Sequence, residues 1–489
     1  MKTFRRESWL LPTVGSLLFS LTMACGVTPS DLSEGEPELM ESESKVVEPR
    51  EGMEIYLDTC PTATVAPGST LFVSNRGPWN PAVRLGSGGN PYRTIVEAVK
   101  AAKAGNIIEV RAGTYPEQVV IDSATSQAGT AIAPIVLRGQ SLPNRPRLVP
   151  PTDRVVGSVL SVSQPYWIIQ GMEIDLQGKA SFGALFTRNT YCTQLISSEI
   201  HGGTAGGGVV VSNANNVLIH KNLIYNFSRP GADSHGVLFR DASRDIYVLE
   251  NEIRQTSGDS VQCQIDGNRA VSLFVENNEL HDAGENGIDI KGCDSLYLRF
   301  NNLHDFGNLT LYPWAATSSA AEGIVIHEDA TNVQIIGNVI QRAGRGISVG
   351  GTANTARPLD VLIRNNTITD IFNFQDRGNG QGIRVVQANR IQIRTNLIER
   401  TADAGMRLAA DEPLGITGLI ATNNIFRDMP LFVRLGRKEN RLLSVIDRNR
   451  YEGPTGVFTA TGLVNEGQFP AWRTALAPEG LEQNSVRIP

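Results

Sequence analysis

An all-β solenoid, in which short strands stack coil upon coil in parallel, is the fold class this sequence predicts, and three observations predict it. A five-residue unit recurs as GVLFR (236–240), SVQCQ (260–264), GIDIK (287–291), GIVIH (323–327), GISVG (346–350) and GIRVV (382–386), with the shorter GMRL at 405–408. Within each unit apolar residues alternate with others at period two, the mark of a strand with one buried face. Each unit is followed by a second strand and then by Asn before an aliphatic residue, at Asn222, Asn251, Asn278, Asn302, Asn338, Asn366, Asn396 and Asn424, in steps of 24 to 36 residues. Helical periodicity is missing between the units, so one coil per step, with Gly and Asn at the corners, is the economical reading. Asn at a repeated corner can build a hydrogen-bonded ladder along the stack.

Residues 1–24 carry Lys2, Arg5 and Arg6, then an apolar run from Trp9, then small residues before Cys25. That is the pattern of a secretory signal, too short to span a membrane, and Cys25 stands where a bacterial lipoprotein would be lipidated. Residues 25–54 hold nine acidic residues against Lys45 and Arg50, with few large apolar ones, and are expected to be a solvated tether. The protein is thus expected to be exported and held at the cell envelope, with the membrane reached through the lipid alone. Beyond Cys25 lie Cys60, Cys192, Cys263 and Cys293, an even set suited to one or two disulfides in an exported protein. Register gives no reason to pair Cys263 with Cys293, since the first takes the inward parity of its strand and the second lies just past its own.

Residues 55–134 read as an N-terminal cap with the first coils. Thr94 and Glu97 form a capping box before Ile95, Ala98, Val99 and Ala102, and Gly105 supplies a stop, which makes this the one convincing helix. With the GTYPE stretch (113–117) it is expected to cover the open first coil. Coils then fill residues 135–428, and residues 429–489 are expected to cap the far end. The net charge of −6 and the lack of a basic run argue against a nucleic-acid partner. A monomer is expected.

Because the units share a register, their outward residues form columns. Two places past the Gly come Leu238, Gln262, Asp289, Val325, Ser348, Arg384 and Arg407; four past it come Arg240, Gln264, Lys291 and His327; just before it come His235, Asp259, Asn286, Glu322, Arg345 and Gln381. One face therefore gathers cations and hydrogen-bonding groups, as a groove for a polymeric sugar acid needs. Lys291 is the candidate base, on the expectation that cationic neighbours and burial lower its pKa. It would take the proton α to a uronate carboxylate, with His327 and Arg345 completing the catalytic set. Arg240, Gln262, Asp289, Arg384 and Arg407 are candidates for substrate binding. A Ca²⁺ held by Asp259 and Glu322 is the alternative neutraliser of the substrate charge. Read structurally instead, Lys291 is a solvating lysine on an exposed strand.

Over residues 69–430 these repeats resemble the right-handed parallel β-helix proteins of the pectin-lyase-like superfamily. The resemblance implies a single-stranded right-handed parallel β-helix with an N-terminal capping helix. Lys291, four places past its Gly, is similar to the lone catalytic lysine of the family-9-type pectate lyases and of the chondroitinase B and alginate lyase group. The sequence departs from both. The next coil reads Ala321-Glu322-Gly323 where the pectate lyases pair aspartates around calcium, and Lys291-Gly292 replaces a Lys-Ser corner.

An insertion at residues 308–321 follows the Lys291 coil and carries Tyr312 and Trp314, aromatics suited to stacking on sugar rings; a second, around residues 373–379, offers Arg377. The sequence therefore favours an exported β-helix enzyme acting on acidic polysaccharide by proton abstraction at uronate C5, as a lyase or epimerase. A non-catalytic glycan-binding or rod-like surface protein is the alternative, and a glycoside hydrolase the third reading.

Overall fold

Apolar residues at every second strand position can be buried only if each strand turns the same face inward, and a chain that coils does this with three faces at once. In the computed structural model, which describes residues 50–60, 69–140, 145–264, 268–351, 356–411 and 414–489, the strands fall into three sheets that run the length of the body. Among the described residues these have 15, 14 and 14 strands. Each coil gives one strand to each sheet, so every strand pairs with its counterparts one coil away, almost always in parallel. The fold is the right-handed parallel β-helix. Ile288, Ile290, Leu296, Leu298 and Leu303 of one coil all lie fully buried in a core shared with the coils on either side.

The corner ladder is real, with one change of member. Buried asparagines bond side chain to side chain from Asn222 through Asn251, Asn278, Asn301, Asn338, Asn366, Asn396 and Asn424 to Asn449, at 2.9 to 3.1 Å. Asn301 holds the rung assigned to Asn302, whose amide instead donates to Glu279 at the surface. Two consecutive asparagines made the two registers indistinguishable in the sequence.

The helix Ile95–Ala101 has the expected capping box, and Ile95, Ala98 and Val99 pack into the first coils. The carboxylate of Glu117, from the GTYPE stretch, receives the Ile95 and Val96 N–H groups at 2.9 and 3.0 Å. A second helix, Gly52–Thr59, begins inside the stretch expected to be tether. It lies on the outside of the first sheet, where Tyr56 meets Tyr247 edge-on and Tyr247, Phe274 and Tyr297 stack at 4.8 and 4.5 Å. The Gly52 N–H donates to Glu276, which is buried with Arg299. Cys60–Cys192 fastens the end of this helix to the coils.

Two further expectations change. Cys263 and Cys293 are disulfide-bonded. Cys263 pairs in register with Ile290, and the left-handed turn at Gly292 (φ 63°) brings Cys293 back beneath its neighbour, a corner that strand parity does not describe. Coiling begins at Thr70–Val73, within the stretch read as cap and first coils, but it continues past 428 through Leu431–Leu435 to Val457–Ala460. At the end of the second sheet Val457–Ala460 pairs with Val464–Gly467 in antiparallel, and the helix Phe469–Leu476 packs Trp472 and Leu476 over the end of the core. The proposed signal, lipidation site and most of the tether, residues 1–49, lie outside the described residues.

Candidate functional site

The outward face of the second sheet carries the columns as the register requires. Gln262 pairs with Asp289, Asp289 with Val325, Val325 with Ser348, Ser348 with Arg384, and Arg384 with Arg407; Lys291 pairs with His327. Both insertions rise beside these strands. Together they border a cleft of about 440 Å³ lined by, among others, Asp233, Glu285, Asp289, Lys291, His327 and Arg345.

At its centre Asp289 binds His327 and Lys291 at once. Its Oδ1 meets His327 Nε2 at 2.6 Å and its Oδ2 meets Lys291 Nζ at 3.1 Å. Burial would raise the Asp289 pKa, but the hydrogen bond and charge of His327, then the charge of Lys291, outweigh it and hold the carboxylate below its usual range. Burial likewise pulls the His327 imidazolium down, and Asp289 more than reverses this, so its pKa stands above the ordinary histidine value. Lys291 behaves the same way. Burial lowers it, Asp289, Asp259 and Glu285 raise it further, and the net result is an ammonium held more firmly than in water. The expectation of a lysine base is therefore corrected: the neighbours that matter are carboxylates.

The basic side of the cleft begins at Arg345, which binds Glu322 at 2.8 Å, Gln381 at 2.9 Å and Asn379 at 2.5 Å. Arg384 and Arg407 share Asp411, at 3.1 and 2.7 Å. Among the described residues, the Nε atoms of Arg384 and Arg407 are buried with no hydrogen-bond partner. Burial and then the charge of Arg345 push the Arg384 pKa down, which is the response of a cation crowded by cations. An anion seated here would relieve it.

The remaining predicted residues divide. Gln262 is buried and donates to Asp259 at 2.8 Å. Asp259 also accepts from Asn286 at 2.9 Å, and its N–H donates to His235 Nδ1. Glu322 accepts from Arg345 and from the Ala320 N–H. Asp259 and Glu322 are thus occupied in holding corners, and no group of three or more His, Cys, Asp and Glu is placed to hold a metal among the described residues. The residues do not fit the calcium site suggested for them. Arg240 lies on the same sheet outside the cleft lining, beside Asp241 at 3.5 Å. Tyr312 is a correction: it is 4% exposed and packs against Gly284, so it cannot stack on a sugar. Trp314 is half-buried in the short turn Pro313–Ala316 and is not part of the cleft wall. The insertion contributes Ser318, Ser319 and Ala320 instead, and Arg377 from the second insertion clamps its carbonyls at Ala316 and Ser319, at 3.0 and 2.8 Å.

Glu285 was missed. Burial, then the charges of Asp259 and Asp233, push its carboxyl up to about 8, against a hydrogen bond from Ser318 that lowers it. Its corner position precedes the column that the register identifies, and its burial depends on a loop from another part of the chain. The only available signal was an acid two places before a strand-opening Gly.

No curated protein matches the chain. Among solved structures it is similar to a mannuronic acid specific polysaccharide family 6 lyase from human gut microbiota, at 14% identity and TM-score 0.50, over 81% of this chain and 89% of that one. An alginate lyase from Paenibacillus sp. str. FPU-7 aligns at 18% identity and TM-score 0.40, over 61% and 94%. A lacto-N-biosidase from Eubacterium ramulus aligns at 10% identity and TM-score 0.47, over 86% and 68%. Such identities speak to the fold alone. A family described as a protein of unknown function matches residues 81–120, around the capping helix. The family described as "Right handed beta helix region" matches residues 169–303 and 235–430, more than half of the 489 residues, and the chain belongs to that family.

Proposed function

We propose that the protein acts on an acidic polysaccharide in this cleft by abstracting the proton at uronate C5, as a lyase or an epimerase. The observation that carries the reading is Asp289 bound at once to His327 and Lys291, next to the crowded arginines. A carboxylate that holds an imidazole fixes its tautomer and stabilises the imidazolium formed on proton uptake, which makes His327 the base. Lys291, kept charged, and Arg384 with Arg345 supply the positive field that a uronate needs while charge develops on its carboxylate. The roles of lysine and histidine are thus exchanged relative to the sequence reading. Polysaccharide lyases among proteins of similar fold agree with a sugar-acid substrate without specifying it.

One observation favours a hydrolytic reading. Glu285 and Asp289 lie in one cleft with pKa values pushed in opposite directions, the condition for an acid and a base in glycoside cleavage. Incubation with pectate, alginate, chondroitin and heparin-like polymers separates the cases. Unsaturated ends absorbing in the ultraviolet mark elimination, and new reducing ends without that absorbance mark hydrolysis. Proton exchange at C5 without cleavage marks epimerisation. His327→Ala is expected to abolish the product; a panel that yields none of the three with the native chain leaves glycan binding alone. Export and lipidation at Cys25 belong to the same proposal, and labelled palmitate incorporated by the native chain but not by Cys25→Ser would bear this out.

A further inference from the structure

We propose that Glu285 donates the proton taken up by the departing glycosidic oxygen, an assignment that rests on the reaction proposed above. Glu285 lies on the turn between Glu279–His281 and Ile288–Lys291, where its N–H donates to the Gly258 carbonyl at 3.3 Å. It is only 9% exposed, yet it lines the same cleft as Asp289, Lys291 and His327. Three carboxyl groups from three coils bear on it by their charge: Asp259 from the turn before Val261–Cys263, Asp233 from the turn before His235–Arg240, and Asp289 from its own coil. The nearby cation leans toward those acids, with Lys291 at 3.1 Å from Asp289. Ser318 approaches from the insertion.

Carboxyls that share a buried cleft resist being ionised together. Asp289, held by Lys291 and His327, keeps its charge, and Glu285, crowded by acids, keeps its proton, so a donor and a carboxylate-supported base share one cleft. In elimination His327 takes the C5 proton, and the C–H electron pair becomes the C4–C5 double bond. The C4–O bond breaks with its pair going to oxygen, which takes the proton from Glu285. Glu285 is left as a carboxylate and His327 as an imidazolium, and exchange with water restores both. In hydrolysis the same carboxyl would protonate the same oxygen.

The test is Glu285→Gln, which keeps the shape and the hydrogen-bonding capacity but has no acidic proton. On the polymer that the native chain degrades, kcat is expected to fall at least 10²-fold, with KM within about threefold, and the decline of rate above pH 8 is expected to disappear. Ser318→Ala provides the second measurement. Its hydroxyl favours the carboxylate form, so its removal should move that alkaline decline to higher pH, a displacement that a purely structural role for Glu285 would not produce. If Glu285→Gln keeps more than a tenth of kcat, or if the alkaline decline stays in place in either variant, the assignment is overturned while the cleavage reading stands. A native chain that cleaves no polymer overturns both.

Discussion

Asp289 sets the protonation of two neighbours, so replacing it should change the pH dependence of the reaction as well as its rate. In Asp289→Asn the imidazole of His327 loses the partner that raises its pKa. A base works only when deprotonated, so the acid limb of the rate profile should move to lower pH while kcat falls by about 10²–10⁴-fold. Initial rates across a pH series would check both. Glu285 makes a separate prediction for stability. Its carboxyl has the ordinary value of 4.5 when unfolded and about 8 when folded. Below the first value both states hold the proton; between the two the unfolded chain releases it, so stability falls as pH rises and the full penalty is reached above the second. Glu285→Gln should flatten this decline and be the more stable form at pH 9, by on the order of a few kcal/mol, in urea titrations at pH 5, 7 and 9. The columns of Asp289, Lys291 and His327 were legible in the sequence because strand parity and a shared register decide where they point. The protonation of Lys291 and the burial of Glu285 were not, because both depend on carboxyls brought in from other coils.

At the scale of elements, the asparagine corner and the two insertions carry different loads. Asn338 accepts from the Asn301 backbone and side chain and donates to Leu298 and Asn366, all in the buried interior. Asn338→Ala would leave several of these groups unsatisfied and should cost about 3 kcal/mol or more, since each orphaned buried group costs ~1–3 kcal/mol. Asn302→Ala, at the next corner position but outside the ladder, should cost less than ~1 kcal/mol; chemical denaturation of the pair tests the assignment of the rung. Arg377→Ala releases the clamp between the insertions and should raise KM more than it lowers kcat, as steady-state kinetics would show. The strands and the capping helix followed from local patterns, period two in one case and a capping box in the other. The helix Gly52–Thr59 did not, because eight residues are too few to display a helical period and its place is fixed by Tyr247, Phe274 and Cys192, far away in sequence. Tyr312 misled for the opposite reason: an aromatic in an insertion reads as exposed until the coil beneath it is known.

Across the whole molecule, length comes from repetition and closure from the two ends. The Cys60–Cys192 bond spans 132 residues, and Cys60→Ser should destabilise the body by ~2–5 kcal/mol, read as a lowered midpoint in guanidinium. Every coil presents the next with a full row of backbone donors and acceptors, and the row is complementary to any other coil of its kind. Ile95–Ala101 covers the first row, and the antiparallel pair with Phe469–Leu476 covers the last. These covers act as chain terminators for a self-templating surface: a protein cut before Val457 would offer one naked tip, and two copies of it would meet tip to tip, since the covered first row blocks further addition.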